Sequence, residues 1–242
     1  RDPYWQASVR RESLDFPYAG AAIEDECSAC HMPVTHYEAK LRGRPAGVFQ
    51  HLSGEDGVTC SVCHQIAKDK LGTRESFNGE FVVEAPKSNG EHPEYGPFEI
   101  NPGQRRIMQT SSGGFLPTEE AHIRKSELCA TCHTLYTTAR GGAGELPEQM
   151  PYLEWLHSDY REKQSCQDCH MPEVKEETPI AKVLGEPRQG LHRHTFLGGN
   201  FFMEGMLNRY REELGVAALP HELNRVSHET IYQSLFVQGR GA

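Results

Sequence analysis

Cys27-Ser28-Ala29-Cys30-His31 is the first of four copies of one five-residue pattern. It is followed by Cys60-Ser61-Val62-Cys63-His64, Cys129-Ala130-Thr131-Cys132-His133 and Cys166-Gln167-Asp168-Cys169-His170, and together the copies use all eight cysteines. A C-x-x-C pair alone is half a zinc site, a redox disulfide or a haem attachment point, and the residue after the second cysteine separates these readings. Here it is histidine each time. With 13 histidines in 242 residues, chance would produce four out of four about once in 10⁵. C-x-x-C-H is the attachment signature of c-type haem: the thiols bond the porphyrin vinyl groups and the adjacent imidazole lies beneath the iron. Two zinc ribbons would leave the four trailing histidines unexplained, and a thioredoxin-like motif would occur once, within an α/β pattern that is absent. The expectation is four haem c groups attached at Cys27, Cys30, Cys60, Cys63, Cys129, Cys132, Cys166 and Cys169, with His31, His64, His133 and His170 as proximal iron ligands.

Composition agrees with that expectation. Only 37% of the residues are hydrophobic and the mean hydropathy is -0.64, lean for a chain that must fill its own interior; about 60 residues per haem would leave much of the core to porphyrin. Against 34 acidic residues stand 25 Lys and Arg, a net charge of -9, which argues against a nucleic-acid footprint, since that requires a basic stripe. No run approaches the ~18 apolar residues that span a bilayer, and the Arg1-Asp2-Pro3-Tyr4 start has no signal-peptide core. The chain reads as soluble and already processed, or as a fragment.

What fills the second axial position decides between carrier and catalyst. Three histidines stand at matching places upstream of a motif: His51 nine residues before Cys60, His122 seven before Cys129, and His157 nine before Cys166. No histidine precedes His31, so the fourth distal ligand must come from elsewhere. His194, in Leu191-His192-Arg193-His194-Thr195-Phe196, is the favoured candidate, with His192 and His228 as alternatives. His228 shares a helical stripe with Ile231, Tyr232 and Leu235, a spacing that more often marks core packing. For His36, His92 and His221 the ordinary reading is a solvated or hydrogen-bonded side chain. Met32 and Met171 adjoin proximal histidines, and Met203 and Met206 read as helix-face packing. All four irons are expected to be bis-histidine ligated.

The fold class expected is mainly α, with long irregular loops and one small β-hairpin, in a single tetrahaem domain over 1–242. Residues of about 20–200 form its haem-binding unit and about 201–238 a helical tail. Pro151 opens a helix through Tyr152–Lys163 that puts His157 on the buried side. A motif helix covers Ser126–Arg140, a third helix Phe202–Leu214 closes at Gly215, and a last one runs from about Glu222 to Val237. Asn78-Gly79 between Glu75–Phe77 and Glu80–Val83 is a hairpin signal. The stretch from Glu84 to Pro117, rich in Pro, Gly and polar residues, reads as loop.

Several stretches carry a family likeness: Cys27 to Leu52 (CSACHMPVTHYEAKLRGRPAGVFQHL), Ser126 to Leu135 (SELCATCHTL), Tyr152 to Met171 (YLEWLHSDYREKQSCQDCHM) and His194 to Met203 (HTFLGGNFFM). In these the chain resembles the multihaem c-type cytochromes related to hydroxylamine oxidoreductase, which include tetrahaem electron carriers. The resemblance implies His51, His122, His157 and His194 as distal ligands, closely stacked haem pairs, and a periplasmic or extracellular location. Two features depart from the group. No C-x-x-C-K motif is present, so the lysine-ligated catalytic haem of nitrite-reducing relatives is missing, and no tyrosine is assignable as the cross-link partner of a hydroxylamine-oxidising haem.

Bis-histidine irons have no open position and change little on reduction, which suits electron transfer, and imidazole in place of methionine lowers their potential. The expected function is therefore electron transfer along four haems between redox partners. Those partners would be other multihaem cytochromes or a membrane quinol-linked complex, with basic patches complementary to this acidic chain. The alternatives are an oxidoreductase with one five-coordinate haem acting on nitric oxide, hydroxylamine or nitrite, with His36 or His92 as proton source, and a subunit of a homo-oligomer, extracellular haem filament or larger respiratory complex. The clusters Arg105-Arg106 and Arg124-Lys125 are candidates for neutralising propionates.

Overall fold

The computed structural model describes residues 3–43, 57–138, 144–179, 185–198, 209–210 and 212. Two compact units form along the chain, Arg1–Leu156 and His157–Ala242. The first carries three of the C-x-x-C-H motifs and the second carries one.

The first unit opens with α1 (Pro3–Asp15). Trp5 and Val9, one turn apart and therefore on one face, are buried against Met32 and the partly buried Cys27. Helix α2 (Gly20–His31) ends on the first motif, where the Met32 amide closes it on the Ser28 carbonyl at 2.9 Å. Pro33 starts α3 (Pro33–Leu41) at a position that needs no amide hydrogen and suits the fixed proline φ. The short α4 (Cys60–Gln65) is the second motif.

Residues 84–117 are not the loop their composition suggests. Strands β1 (His92–Gly96) and β2 (Phe115–Glu119) pair in parallel from His92↔Phe115 to Gly96↔Glu119, joined through α5 (Pro102–Ser111). The start of α5 carries a recognisable signal, since the Asn101 side chain accepts from the Gly103 amide at 2.8 Å and Pro102 follows it. None of its residues is buried, and Ile107 and Met108 are its only large apolar side chains, too few to mark a core helix in the sequence. Beyond β2, a 3-10 turn over Ala121–Arg124 leads into α6 (Ser126–Ala130). The expected motif helix to Arg140 stops ten residues short, because Leu135–Thr138 becomes β3, antiparallel to β4 (Glu145–Gln149). Helix α7 (Pro151–Leu156) also ends early, so His157 falls beyond it and is exposed rather than buried.

The expected hairpin at 75–83 is absent although its turn is present. Asn78 and Gly79 take φ of 60° and 78°, the left-handed pair such a turn needs. Their hydrogen bonds, however, go to the third motif region. The Asn78 amide donates to the Thr134 carbonyl (3.1 Å) and the Gly79 amide to the Thr131 carbonyl (2.7 Å), and the Asn78 side chain bonds the Tyr136 carbonyl and amide at 2.8 and 2.9 Å. Val83 bridges to Ile66 instead of to a hairpin partner. The described residues are thus a mixture of helix and small two-stranded sheets, 44% helical and 17% strand, with more sheet than the expected single hairpin.

Side-chain packing in the first unit is divided among three clusters: Ile66, Ala67, Tyr95, Ile123 and Leu128; Trp5, Val9 and Met32; and Phe77, Ala130 and Tyr152. In the second unit, α8 (Cys166–His170) carries the fourth motif behind a capping box. The Ser165 hydroxyl accepts from the Asp168 amide at 3.3 Å and the Asp168 carboxylate accepts from the Ser165 amide at 2.7 Å. Two-residue strands follow: β5 (Glu173–Val174), β6 (Thr178–Pro179), β7 (Pro187–Arg188) and β8 (Leu191–His192), paired β5 with β8 and β6 with β7. The helices expected over 202–214 and 222–237 lie outside the described residues.

Candidate functional site

Each motif is wholly or partly helical, and the reason for its spacing is geometric. At 100° per residue the two cysteines and the following histidine of a C-x-x-C-H run fall within about 100° of arc, so one helical face presents all three. Cys27, Cys30 and His31 lie on α2, Cys60, Cys63 and His64 on α4, and Cys166, Cys169 and His170 on α8. Cys129 lies on α6, with Cys132 and His133 just beyond its end. None of the eight cysteines is in a disulfide.

The fold brings the second cysteines of two motifs together. Cys30 and Cys132 are hydrogen-bonded to each other, which favours ionisation of Cys30 and holds Cys132 protonated, and Cys63 is close enough to raise Cys132 further. Burial pushes the Cys27 thiol up to about 11 and also raises Cys63 and Cys169. Most of these sulfurs are therefore neutral thiols near pH 7 and poor nucleophiles for disulfide exchange.

Hydrogen bonding fixes which ring nitrogen each histidine has to offer. A backbone carbonyl only accepts, so the ring nitrogen facing it carries the proton and, in the neutral ring, the other carries the lone pair. His64 Nδ1 donates to the Tyr95 carbonyl at 2.5 Å, His170 Nδ1 to the Leu197 carbonyl, and His192 Nδ1 to the Met171 carbonyl at 2.6 Å. In all three, Nε2 holds the lone pair, the arrangement that orients a metal-ligating imidazole. The ring of His31 stacks on Trp5 at 5.4 Å and 10°, and His133 is exposed.

His122 is reversed. Its Nε2 donates to the Ile66 carbonyl at 2.8 Å, which leaves the lone pair on Nδ1, a buried nitrogen with no hydrogen-bond partner. The nearest carboxylate, on Glu120, is 3.9 Å away, too far for a hydrogen bond. The ring is 7% exposed and meets Tyr95 edge-on at 4.9 Å. Tyr95, which sequence reading missed, thus touches both His64 and His122, and its hydroxyl donates to Glu84. Burial and the Glu84 carboxylate hold that phenol well above its usual range. A cavity of about 310 Å³ adjoins His122 and Tyr95, with Lys68, Arg105 and Glu120 also on its wall.

Of the other distal candidates, His157 and His194 are exposed, and His194 lies edge-on to Phe196 at 6.1 Å. His51 and His228 lie outside the described residues. Among the described residues no three His, Cys, Asp or Glu side chains converge on a bare-ion site. The donor set of single imidazoles beside paired thiols, with an orphaned buried nitrogen on His122, fits a ligand that brings its own equatorial donors, as haem does. No known protein family, curated protein or solved structure matches the chain.

Proposed function

We propose that the protein is a tetrahaem c-type cytochrome that passes electrons between redox partners outside the cytoplasm. The observation that carries this reading is the fourfold C-x-x-C-H pattern, which consumes every cysteine and places a histidine after every pair. When bound, the haems supply low-spin iron centres between which electrons hop.

The residues have distinct tasks. The eight cysteines attach the porphyrins through thioethers, and His31, His64, His133 and His170 are the proximal ligands. His64 and His170 are held in the ligating tautomer by the carbonyls of Tyr95 and Leu197. His51, His122, His157 and His194 are the proposed distal ligands, with His192 and His228 as alternatives, and His122 offers Nδ1 because Ile66 engages its Nε2. The contact between Cys30 and Cys132 would draw the attachment edges of two porphyrins together. The net charge of -9, made more negative by propionates, favours partners with basic patches and association that weakens with salt. Among the described residues no helix is long and apolar enough to cross a membrane.

A second reading, an oxidoreductase for a small nitrogen compound, is favoured by the cavity beside His122, since a buried pocket next to an iron is where a substrate would bind. One experiment tests both readings. Intact mass and a pyridine haemochrome assay should give four covalent haems per chain, and the reduced protein should show an unchanged visible spectrum under carbon monoxide. Failure to attach haem would overturn both readings, while a haem that binds carbon monoxide would favour the oxidoreductase.

A further inference from the structure

We infer that His36 is an axial iron ligand of the first unit, an inference that rests on the tetrahaem reading. The argument begins with one hydroxyl. Ser28 Oγ donates its only hydrogen to the Asp25 carbonyl at 2.8 Å. The 3.0 Å contact between Ser28 Oγ and His36 Nδ1 must then be donated by the ring. His36 therefore carries its proton on Nδ1 and, when neutral, its lone pair on Nε2. The Asp25 carboxylate stands 3.5 Å from the same Nδ1, and a carboxylate behind an imidazole N–H both orients the ring and makes the opposite nitrogen a better donor to a metal.

The surroundings suit that role. Ser28 is fully buried and the His36 side chain is 17% exposed, so the ring is held rather than solvated. No hydrogen bond to Nε2 occurs among the described residues. The ring lines a cavity of about 250 Å³ whose wall combines Pro33, Phe81, Val82 and Val83, which suit a porphyrin face, with the Lys40–Glu80 ion pair. Pro33 at the first turn of α3 fixes the position of His36 one turn later.

The first motif has no upstream histidine, and His36 lies in the same unit as that motif, where it takes the place that sequence spacing alone gives to His194. Being five residues from His31 on the next helix, His36 serves an iron attached at another motif.

The test uses the full-length holoprotein with His36→Ala and His36→Met. Haem stoichiometry is read by intact mass, and spin state by EPR and by carbon monoxide titration of the reduced protein. His36→Ala should keep the wild-type haem count, show a new high-spin ferric signal and bind about one more equivalent of carbon monoxide per chain than the wild type. His36→Met should restore a low-spin iron with a sulfur-to-iron charge-transfer band and a raised potential for one haem. A full haem count with wild-type spin state in both variants would overturn the inference, because a merely hydrogen-bonded histidine leaves the iron unchanged. Absence of covalent haem in the wild type would instead overturn the tetrahaem reading beneath it. Should His36→Ala fail to accumulate, the charge-transfer band of His36→Met decides: its presence supports ligation and an unaltered bis-imidazole spectrum refutes it.

Discussion

At the scale of single residues, the site is organised by who donates and who accepts. Tyr95, Leu197, Met171 and Ile66 each use a carbonyl oxygen to determine which nitrogen of a histidine is left with a lone pair. Sequence spacing found His122 but could not find its reversed tautomer, because that depends on a carbonyl 56 residues away. Gly79 shows the same long-range dependence. Its φ of +78° disfavours any side chain, and a Cβ there would lie 2.9 Å from both the Cβ and the carbonyl oxygen of Ala29, inside the first motif. Gly79→Ala should therefore destabilise the holoprotein by about 2–4 kcal/mol, combining left-handed strain with a backbone clash. Thermal or denaturant unfolding measures this. A change below about 0.5 kcal/mol would mean that the turn does not clamp the first motif to the third.

At the scale of elements, the capping box of α8 offers a local test. Five residues make a helix too short to persist on propensity, so the reciprocal bonds of Ser165 and Asp168 must supply much of its definition. Ser165→Ala should cost about 1 kcal/mol and speed hydrogen exchange at the α8 amides while leaving α5 unaffected. Equal exchange at both helices in the variant and wild type would show that the capping box does not hold α8. Such elements also mark how far the sequence could be read. Of the motif helices α2, α4, α6 and α8, only α6 begins where the sequence predicts one, at Ser126; the other three were not anticipated. The span of the helix around Ser126–Arg140 was overestimated, since Leu135-Tyr136-Thr137-Thr138 favours strand once β4 is available to pair. The parallel β1–β2 pair was invisible in advance: its partners are 23 residues apart, and Pro93 and Pro117 lie within it, a residue type that ordinarily argues against a strand. The hairpin failed for the converse reason. Asn78-Gly79 made the expected turn, but tertiary hydrogen bonds to Thr131, Thr134 and Tyr136 outcompeted pairing between its own flanks.

At the scale of the whole molecule, the buried apolar side chains among the described residues are few and fall into separate clusters. Fourteen buried hydrophobic residues occur among the described residues, four of them alanine, and the first unit divides its share among three clusters where a domain of this size ordinarily builds one contiguous core. On the tetrahaem reading the porphyrins supply the missing interior, and the thioethers anchor it to α2, α4, the α6 region and α8. Chain produced without haem attachment should therefore keep helical far-ultraviolet dichroism, bind the dye ANS, and unfold gradually, whereas the holoprotein should not bind the dye and should unfold in one sharp transition. Scanning calorimetry and ANS fluorescence on the two forms decide the matter. A haem-free chain that unfolds cooperatively near the holoprotein temperature would show that the three side-chain clusters suffice, and haem would then be cargo on a finished scaffold rather than the core around which the scaffold forms.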